Sequence, residues 1–254
     1  MDTRNLRMPG MILFDYGDTL LWEPEWNFLR GNEALLRYAV KNSRGLSAQE
    51  ISRFADELFG TACRPVRAID REIHEWQFLR SLYGLLQIEF SIPVEEQERV
   101  YYSAAIRVEP MPHIEELLVF LEMENIRKGV VSNLMSSGAQ LEERLANCLP
   151  ECKFEFIIAS SEYGVRKPDP LIFQLACAKV DLPPEEIWFC GDNPRCDVEG
   201  AHAAGMFPIW HENLTVASIW RDPSHPVPTC PHLYIHDWRE LIEILRNLPC
   251  TIPT

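Results

Sequence analysis

The hydrophobic pattern gives the chain two textures. Met11-Ile12-Leu13-Phe14 is a short continuous apolar run, which predicts a buried strand. From Trp22 to about Arg107 apolar residues recur at three- and four-residue steps in NEALLRYAV, SAQEISRFADELF, IHEWQFLRSLYGLL and PVEEQERVYYSAAI, predicting four helices with no strand between them. Ser47 with Glu50 three positions on is a capping-box start for the second of these. From Pro110 the pattern alternates: HIEELLVFLEME then KGVVSN, SSGAQLEERLANC then FEFIIAS, LIFQLACAKV then IWFCGD, VEGAHAAGM then FPIWH, and a last strand and helix in HLYIHDWRELIEILRNL. Pro223 to Pro228 reads as a loop between ordered elements.

Strands alternating with helices imply a parallel sheet covered on both faces. The expected fold is α/β: a Rossmann-like, doubly wound parallel sheet with an inserted all-helical, four-helix-bundle cap. Residues 1–20 and 108–254 then form a discontinuous core, and residues 21–107 the cap. The first strand must join the later ones, so the helical segment enters at that strand's carboxyl end, the edge where doubly wound sheets bind ligands.

Composition narrows the partners. Hydrophobic residues make up 46% of the 254, enough for a substantial core. Asp and Glu number 38 against 24 Lys and Arg, a formal net charge of −14. Such a field repels nucleic-acid backbones and anionic membranes, leaving a small anion in a locally positive cleft as the anionic partner to expect. The first residues lack a signal-peptide pattern and no run approaches a membrane span, so the expected location is the cytoplasm. The 8 cysteines contain no C-x-x-C pair and predict reduced, packed thiols. Cys148 and Cys152 have helical spacing, with no His or second pair to complete a zinc site.

The polar residues that end the strands are the candidate chemistry. Asp15 and Asp18 flank Gly17 in FDYGDTL, Ser132-Asn133 ends KGVVSN, Lys167 follows FEFIIAS, and Asp192 and Asp197 follow IWFCG. Each has an ordinary explanation: an Asp/Gly turn, a helix N-cap at Ser132-Asn133, a surface lysine, and the first residues of a solvated helix. A parallel sheet, however, brings all of these strand ends to one edge. Crowded there, carboxylates repel one another unless a cation shares the site. No G-x-S-x-G, H-E-x-x-H or G-x-x-x-x-G-K-[ST] occurs, which sets aside serine hydrolase, zincin and P-loop chemistry.

In order and spacing, FDYGDTL, VVSN, GVRKPDPLIF and CGDNPRCDVEGAHAAG resemble the haloacid dehalogenase superfamily, most of whose members are phosphatases, and the resemblance covers nearly the whole chain. It implies a phosphomonoester hydrolase acting on a small phosphorylated metabolite. Asp15 would be the nucleophile that forms an aspartyl phosphate. Mg2+ would be held by Asp15, the Gly17 carbonyl and Asp192, with Asp197 on its water shell or orienting Lys167. Ser132 and the Asn133 amide would bind phosphate oxygens, and Lys167 would offset their charge.

One position departs from that pattern. The phosphatases usually read D-x-D-x-T, with the second Asp as general acid and base; here that place is Gly17, and Asp18 stands one residue later. Asp18, or Glu23 or His74 from the cap, is the expected substitute. Trp22, Glu23, Trp26 and Arg30 are the expected leaving-group contacts, cap packing being the ordinary explanation of the tryptophans and an equal one for Trp26, and Arg64 and Arg67 are further anion contacts. Two other functions fit part of the pattern: a slow or non-catalytic relative that binds a phosphorylated ligand, and a metal-independent 2-haloacid dehalogenase, which has no use for Asp192 and Asp197. A signalling receiver domain fits less well, since it lacks a helical insert of this size. Oligomeric state has no signature in the sequence.

Overall fold

The computed structural model describes residues 6–219 and 226–248. Its strands and helices follow in the order β1 (Met11–Phe14), β2 (Leu21–Trp26), α1 (Phe28–Leu36), β3 (Ala39–Asn42) and α2 (Ala48–Leu58). A π-helical stretch, Phe59–Cys63, carries α2 into α3 (Arg64–Arg67), before α4 (Glu75–Leu86), β4 (Ile88–Phe90), α5 (Val94–Ala105) and β5 (Ile106–Pro110). The chain then runs α6 (Ile114–Met123), β6 (Arg127–Ser132), α7 (Gly138–Cys148), β7 (Ile157–Ala159), α8 (Ser160–Tyr163), α9 (Pro170–Val180) and β8 (Ile187–Gly191). After a second π-helical stretch, Pro194–Glu199, come α10 (Gly200–Ala203), β9 (Phe207–His211), β10 (Leu233–Ile235) and α11 (Trp238–Arg246).

Six strands form one parallel sheet in the order β10-β9-β8-β1-β6-β7. Strand alternation divides the apolar residues between its faces. Ile12, Phe14, Trp188 and Cys190 pack with α6, α7 and α11, while Met11, Leu13, Ile187 and Phe189 pack with α9 and α10. Burial on both faces explains why β1 and β8 read as unbroken apolar runs. Asp15, following Phe14, thus sits at the carboxyl edge of a central strand, with β8 and β6 on either side.

The segment between β1 and β5 corrects one expectation. It contains the expected helical runs, and Ser47 with Glu50 forms the capping box at α2, but it also contains strands. β2 pairs antiparallel with β5, and β3 with β4. The β2 sequence LWEPEW carries a period-2 pattern interrupted by Pro24, and its partner lies some eighty residues later, so neither strand announces the other. β3 is four residues and β4 three, too short for their period to be told from the helical steps beside them. The helices of this segment enclose their own apolar cluster, including Leu35, Ile51, Leu79, Leu82, Tyr83 and Leu86.

Of the expected loop Pro223–Pro228, residues 223–225 lie outside the described residues, as does Cys250. The other seven cysteines are free thiols. Among the described residues no helix is long and apolar enough to cross a membrane.

The contact of α1 with α5 depends on Gly31, where an added Cβ would lie 2.6 Å from ring atoms of Tyr101. Forcing a methyl group into packed surroundings costs about 1–3 kcal/mol, while Ala in place of Gly favours a helix by about 1 kcal/mol. Gly31→Ala is therefore expected to destabilise the protein by up to about 2 kcal/mol. The readout is a lower urea midpoint at unchanged m-value; a raised midpoint would show that the ring moves aside freely.

Candidate active site

The strand ends converge as a parallel sheet requires. The Asp15 N–H donates to the Cys190 carbonyl at 2.9 Å, holding Asp15 in register with β8. Ser132, the last residue of the neighbouring strand β6, donates from Oγ to Asp15 Oδ1 at 2.9 Å. Lys167 Nζ lies 2.7 Å from the same oxygen and 2.6 Å from Asp197 Oδ1, on a side chain only 1% exposed. The Lys167 backbone is fixed by the Asn133 amide, which donates to its carbonyl at 2.9 Å and accepts its N–H at 2.8 Å. So the Asn133 side chain positions the lysine.

Asp197 lies in the second π-helical stretch, and its Oδ2 accepts the Asn193 N–H at 2.9 Å. Gly191 makes that approach possible, because a Cβ there would stand 2.3 Å from Asp197 Cγ. One carboxylate oxygen from each of Asp15, Asp192 and Asp197 falls within 4.8 Å of the others. Burial pushes Asp192 well above the ordinary aspartate range, and Asp197, Asp15 and Asp18 push it further. Burial also raises Asp197, to about 6, although Lys167 draws it back. For Lys167 burial opposes the charge, but Asp15 and Asp197 outweigh it and hold the ammonium well above its ordinary range.

Three carboxylates around one ammonium leave two formal negative charges. An all-oxygen set with that charge fits a hard divalent cation, and burial of this kind is otherwise costly.

Gly17 and Asp18 have different surroundings. A Cβ built on Gly17 meets nothing within 4 Å. Asp18 is buried in the left-handed region at φ 52°, with its Oδ2 accepting from Ser218 Oγ and its carbonyl 3.3 Å from His211 Nδ1. Its carboxylate thus bonds toward the β9 side of the sheet while its charge still reaches Asp192.

The other expected contacts are dispersed. Trp22 packs against the core cluster, and the buried Glu23 accepts from the Tyr16 hydroxyl at 3.1 Å. Trp26 stacks at a tilt on Phe28, and Arg30 pairs at the surface with Glu25 at 3.1 Å. Arg64 lies over the Phe59 ring, and Arg67 pairs with Glu72 at 2.9 Å. His74 caps α4, its Nδ1 accepting the Trp76 N–H at 3.1 Å, with Nε2 3.5 Å from Glu162.

What sequence reasoning missed is the segment between α3 and α4, which docks on the loop carrying Lys167. Glu72 N–H donates to the Gly164 carbonyl and Arg166 N–H to the Asp70 carbonyl, each at 3.2 Å. Asp70 also receives two hydrogen bonds from Arg195 at 2.9 Å. Nearby, Glu75 N–H donates to the Met135 carbonyl at 2.8 Å, and Glu98 accepts from the Ser137 N–H at 2.7 Å and its hydroxyl at 2.8 Å. The available signal was acidic residues at positions that the helical pattern buries, Glu75 and Glu98 among them.

The pattern of the haloacid dehalogenase-like hydrolases matches residues 10–205. The chain belongs to this family. Within it, 86 residues are 35% identical to phosphoserine phosphatase of Thermus thermophilus, covering 33% of this chain and 34% of that protein. Over 160 residues the chain is 29% identical to human haloacid dehalogenase-like hydrolase domain-containing protein 3, covering 60% of this chain and 61% of the relative. The chain thus spans between about a third and three-fifths of these curated relatives. Among solved structures, the 2-haloacid dehalogenase of Pseudomonas syringae pv. Tomato DC3000 is similar in fold, with TM-score 0.60 and 21% identity over 93% of this chain and 97% of that one.

The carboxylate cluster generates a prediction about stability. Without metal, folded Asp197 holds a proton that the unfolded chain has released between pH 3.8 and about 6, so this group's contribution falls as pH rises through that interval. Above neutral pH, Asp192→Asn should relieve repulsion and raise the metal-free thermal midpoint by ~2–4 °C, the equivalent of about 1 kcal/mol. Magnesium chloride should raise the wild-type midpoint and leave that of Asp192→Asn nearly unmoved. Equal responses of the two proteins in a thermal scan would show that the cluster holds no cation.

Proposed function

We propose that the protein is a magnesium-dependent phosphomonoester hydrolase that works through an aspartyl phosphate on Asp15. The observation that carries this reading is the sharing of Asp15 Oδ1 between Ser132 Oγ and Lys167 Nζ, beside two further carboxylates. The name of the Thermus thermophilus relative, a phosphatase, supports a phosphate substrate. Residues 21–107 act as a cap over the site, and the acidic composition and free thiols suit a cytoplasmic enzyme.

In this mechanism an Asp15 oxygen attacks phosphorus, and the bond from phosphorus to the leaving oxygen breaks. Lys167 holds the attacking carboxylate in place and offsets the charge that phosphate adds. Ser132 turns its hydroxyl from Asp15 to a phosphate oxygen, joined by the Asn133 backbone amide. Bound at Asp15, Asp192 and the Gly17 carbonyl, with Asp197 on its water shell, Mg2+ would supply the remaining charge neutralisation. Water then attacks phosphorus, releasing inorganic phosphate and restoring Asp15.

The leaving oxygen receives no proton from residue 17. General acid–base help is worth ~10²- to 10⁴-fold, so aryl, acyl and anomeric phosphates, whose leaving groups tolerate negative charge, suit this site. The same Gly17 favours a second reading, a slow relative that binds a phosphorylated ligand with little turnover. Dehalogenation is less well matched, since it leaves Asp192 and Asp197 without a task.

A panel of aryl, acyl, anomeric and alkyl phosphates, assayed for phosphate release with and without magnesium, tests the proposal. Magnesium-dependent release that disappears in Asp15→Asn is expected, with alkyl esters slowest; release that survives Asp15→Asn would remove the nucleophile. Binding without release would favour the second reading. Because space exists at residue 17, Gly17→Asp should raise kcat on alkyl phosphates by at least ~10-fold, toward the range of general acid–base help. An unchanged kcat would mean that another group already supplies the proton.

A further inference from the structure

The turn that leaves β6 is held from two sides. Ser132 ends β6, Asn133 follows it, and α7 begins at Gly138 with Ser137 as its cap. Core residues tie three of the positions between. The Asn133 side chain clamps the Lys167 backbone, the Leu134 N–H donates to Ser160 Oγ at 2.9 Å, and the Ser136 carbonyl accepts from Ser161 Oγ at 2.7 Å. The helical segment ties the other two. The Met135 carbonyl accepts the Glu75 N–H at 2.8 Å, and Ser137 donates its N–H, at 2.7 Å, and its hydroxyl, at 2.8 Å, to the Glu98 carboxylate.

Glu98 is a costly group to place there. It stands on α5, is 1% exposed, and takes a third hydrogen bond from the Trp76 indole N–H at 2.7 Å. All three donors are neutral. The buried cation of this seam, Arg144 on α7, hydrogen-bonds the Tyr16 side chain and lies 4.5 Å from the centre of the Tyr102 ring. A carboxylate buried among neutral groups needs donors that converge on it, and such charge-assisted bonds are short and directional. An apolar side chain at residue 98 would join segment and core with less desolvation. What the carboxylate adds is a fixed distance and direction between α5 and Ser137. With the core holding residues 133, 134 and 136, the whole turn is then fixed, and with it the direction of the Asn133 amide.

Resting on the reading of Ser132 Oγ and the Asn133 amide as phosphate donors, we propose that Glu98 is a positioning residue for phosphate: by holding Ser137 it fixes the turn 133–137, so phosphate binding and docking of the helical segment favour each other. The coupling is reciprocal, since whatever the docked segment contributes to phosphate affinity, bound phosphate returns to docking. Glu98 itself touches no substrate. Its effect runs through Ser137, whereas its bond to Trp76 stays within the helical segment.

The test is calorimetric binding of inorganic phosphate in magnesium chloride. Glu98→Gln sets an amide NH2 against donors that need an oxygen, and phosphate affinity should fall about tenfold, inside the usual range of coupling between two sites. The rise in thermal midpoint with magnesium chloride alone should match the wild type, because Asp15, Asp192 and Asp197 are held elsewhere. In hydrogen exchange, phosphate should slow the opening of α5 in the wild type and not in Glu98→Gln, a response that loss of stability alone would leave in place. Ser137→Ala keeps the carboxylate and loses one bond to it; it should weaken phosphate in the same direction, and it decides the matter if circular dichroism shows Glu98→Gln to be unfolded. Trp76→Phe, which removes the donor inside the helical segment, should leave phosphate affinity unchanged. Weaker phosphate binding by Glu98→Gln in a protein that hydrolyses no ester upholds the coupling while the hydrolase reading fails. Unchanged phosphate affinity in Glu98→Gln or Ser137→Ala, an equal loss in Trp76→Phe, or no phosphate bound by the wild type would overturn the proposal.

Discussion

The site depends on one buried ammonium. Lys167 Nζ joins Asp15, at the end of β1, to Asp197, beyond β8, from a loop whose backbone is clamped by Asn133, beyond β6. Three strands therefore meet at one side chain. Desolvating a charge this fully is costly, and the two carboxylates compensate it only in this geometry. The residue before it, Arg166, extends the same constraint outward: its N–H bonds the Asp70 carbonyl and its guanidinium lies 3.1 Å from Glu72, so the loop that positions the lysine also receives the helical segment.

The chain uses buried charge in two ways. Around Asp15 the carboxylates outnumber the single ammonium and their oxygens converge, which suits a small ion of high positive charge. Along the seam the carboxylates are separated and mostly satisfied by neutral donors: Glu98 by Ser137 and the Trp76 indole, Glu75 by Tyr102, Glu23 by Tyr16. Of these, the bonds of Glu98 to Ser137 and of Glu23 to Tyr16 join the helical segment to the core and fix direction as well as energy, while those to Trp76 and Tyr102 hold the two carboxylates within the segment. The net charge of −14 is thus no guide to either region.

The sheet and the converging strand ends were legible because parallel strands buried on both faces read as apolar runs, and a polar residue at the end of each run has one edge to occupy. Asp15, Ser132, Lys167 and Asp197 meet for that reason. The β2–β5 ribbon was hidden because pairing across eighty residues leaves no local period, and β2 is broken by Pro24. Arg144 was hidden differently. In QLEERLAN it stands among solvated Glu142 and Glu143, and burial follows only once Tyr16 and Tyr102, from two distant parts of the chain, close over it. The expected role of Arg30 rested on nearness to the first motif and that of His74 on its place in the cap; the fold gives one a surface partner and the other a helix terminus.

In the proposed reaction Gly17 constrains the leaving group: with no acid at residue 17, the departing oxygen has to tolerate negative charge, a condition that aryl, acyl and anomeric phosphates meet and alkyl phosphates do not. A Cβ at residue 17 would meet nothing within 4 Å, so it is the residue type and not the room for a side chain that removes the proton donor. Selection under that reading acts on the substrate's own reactivity.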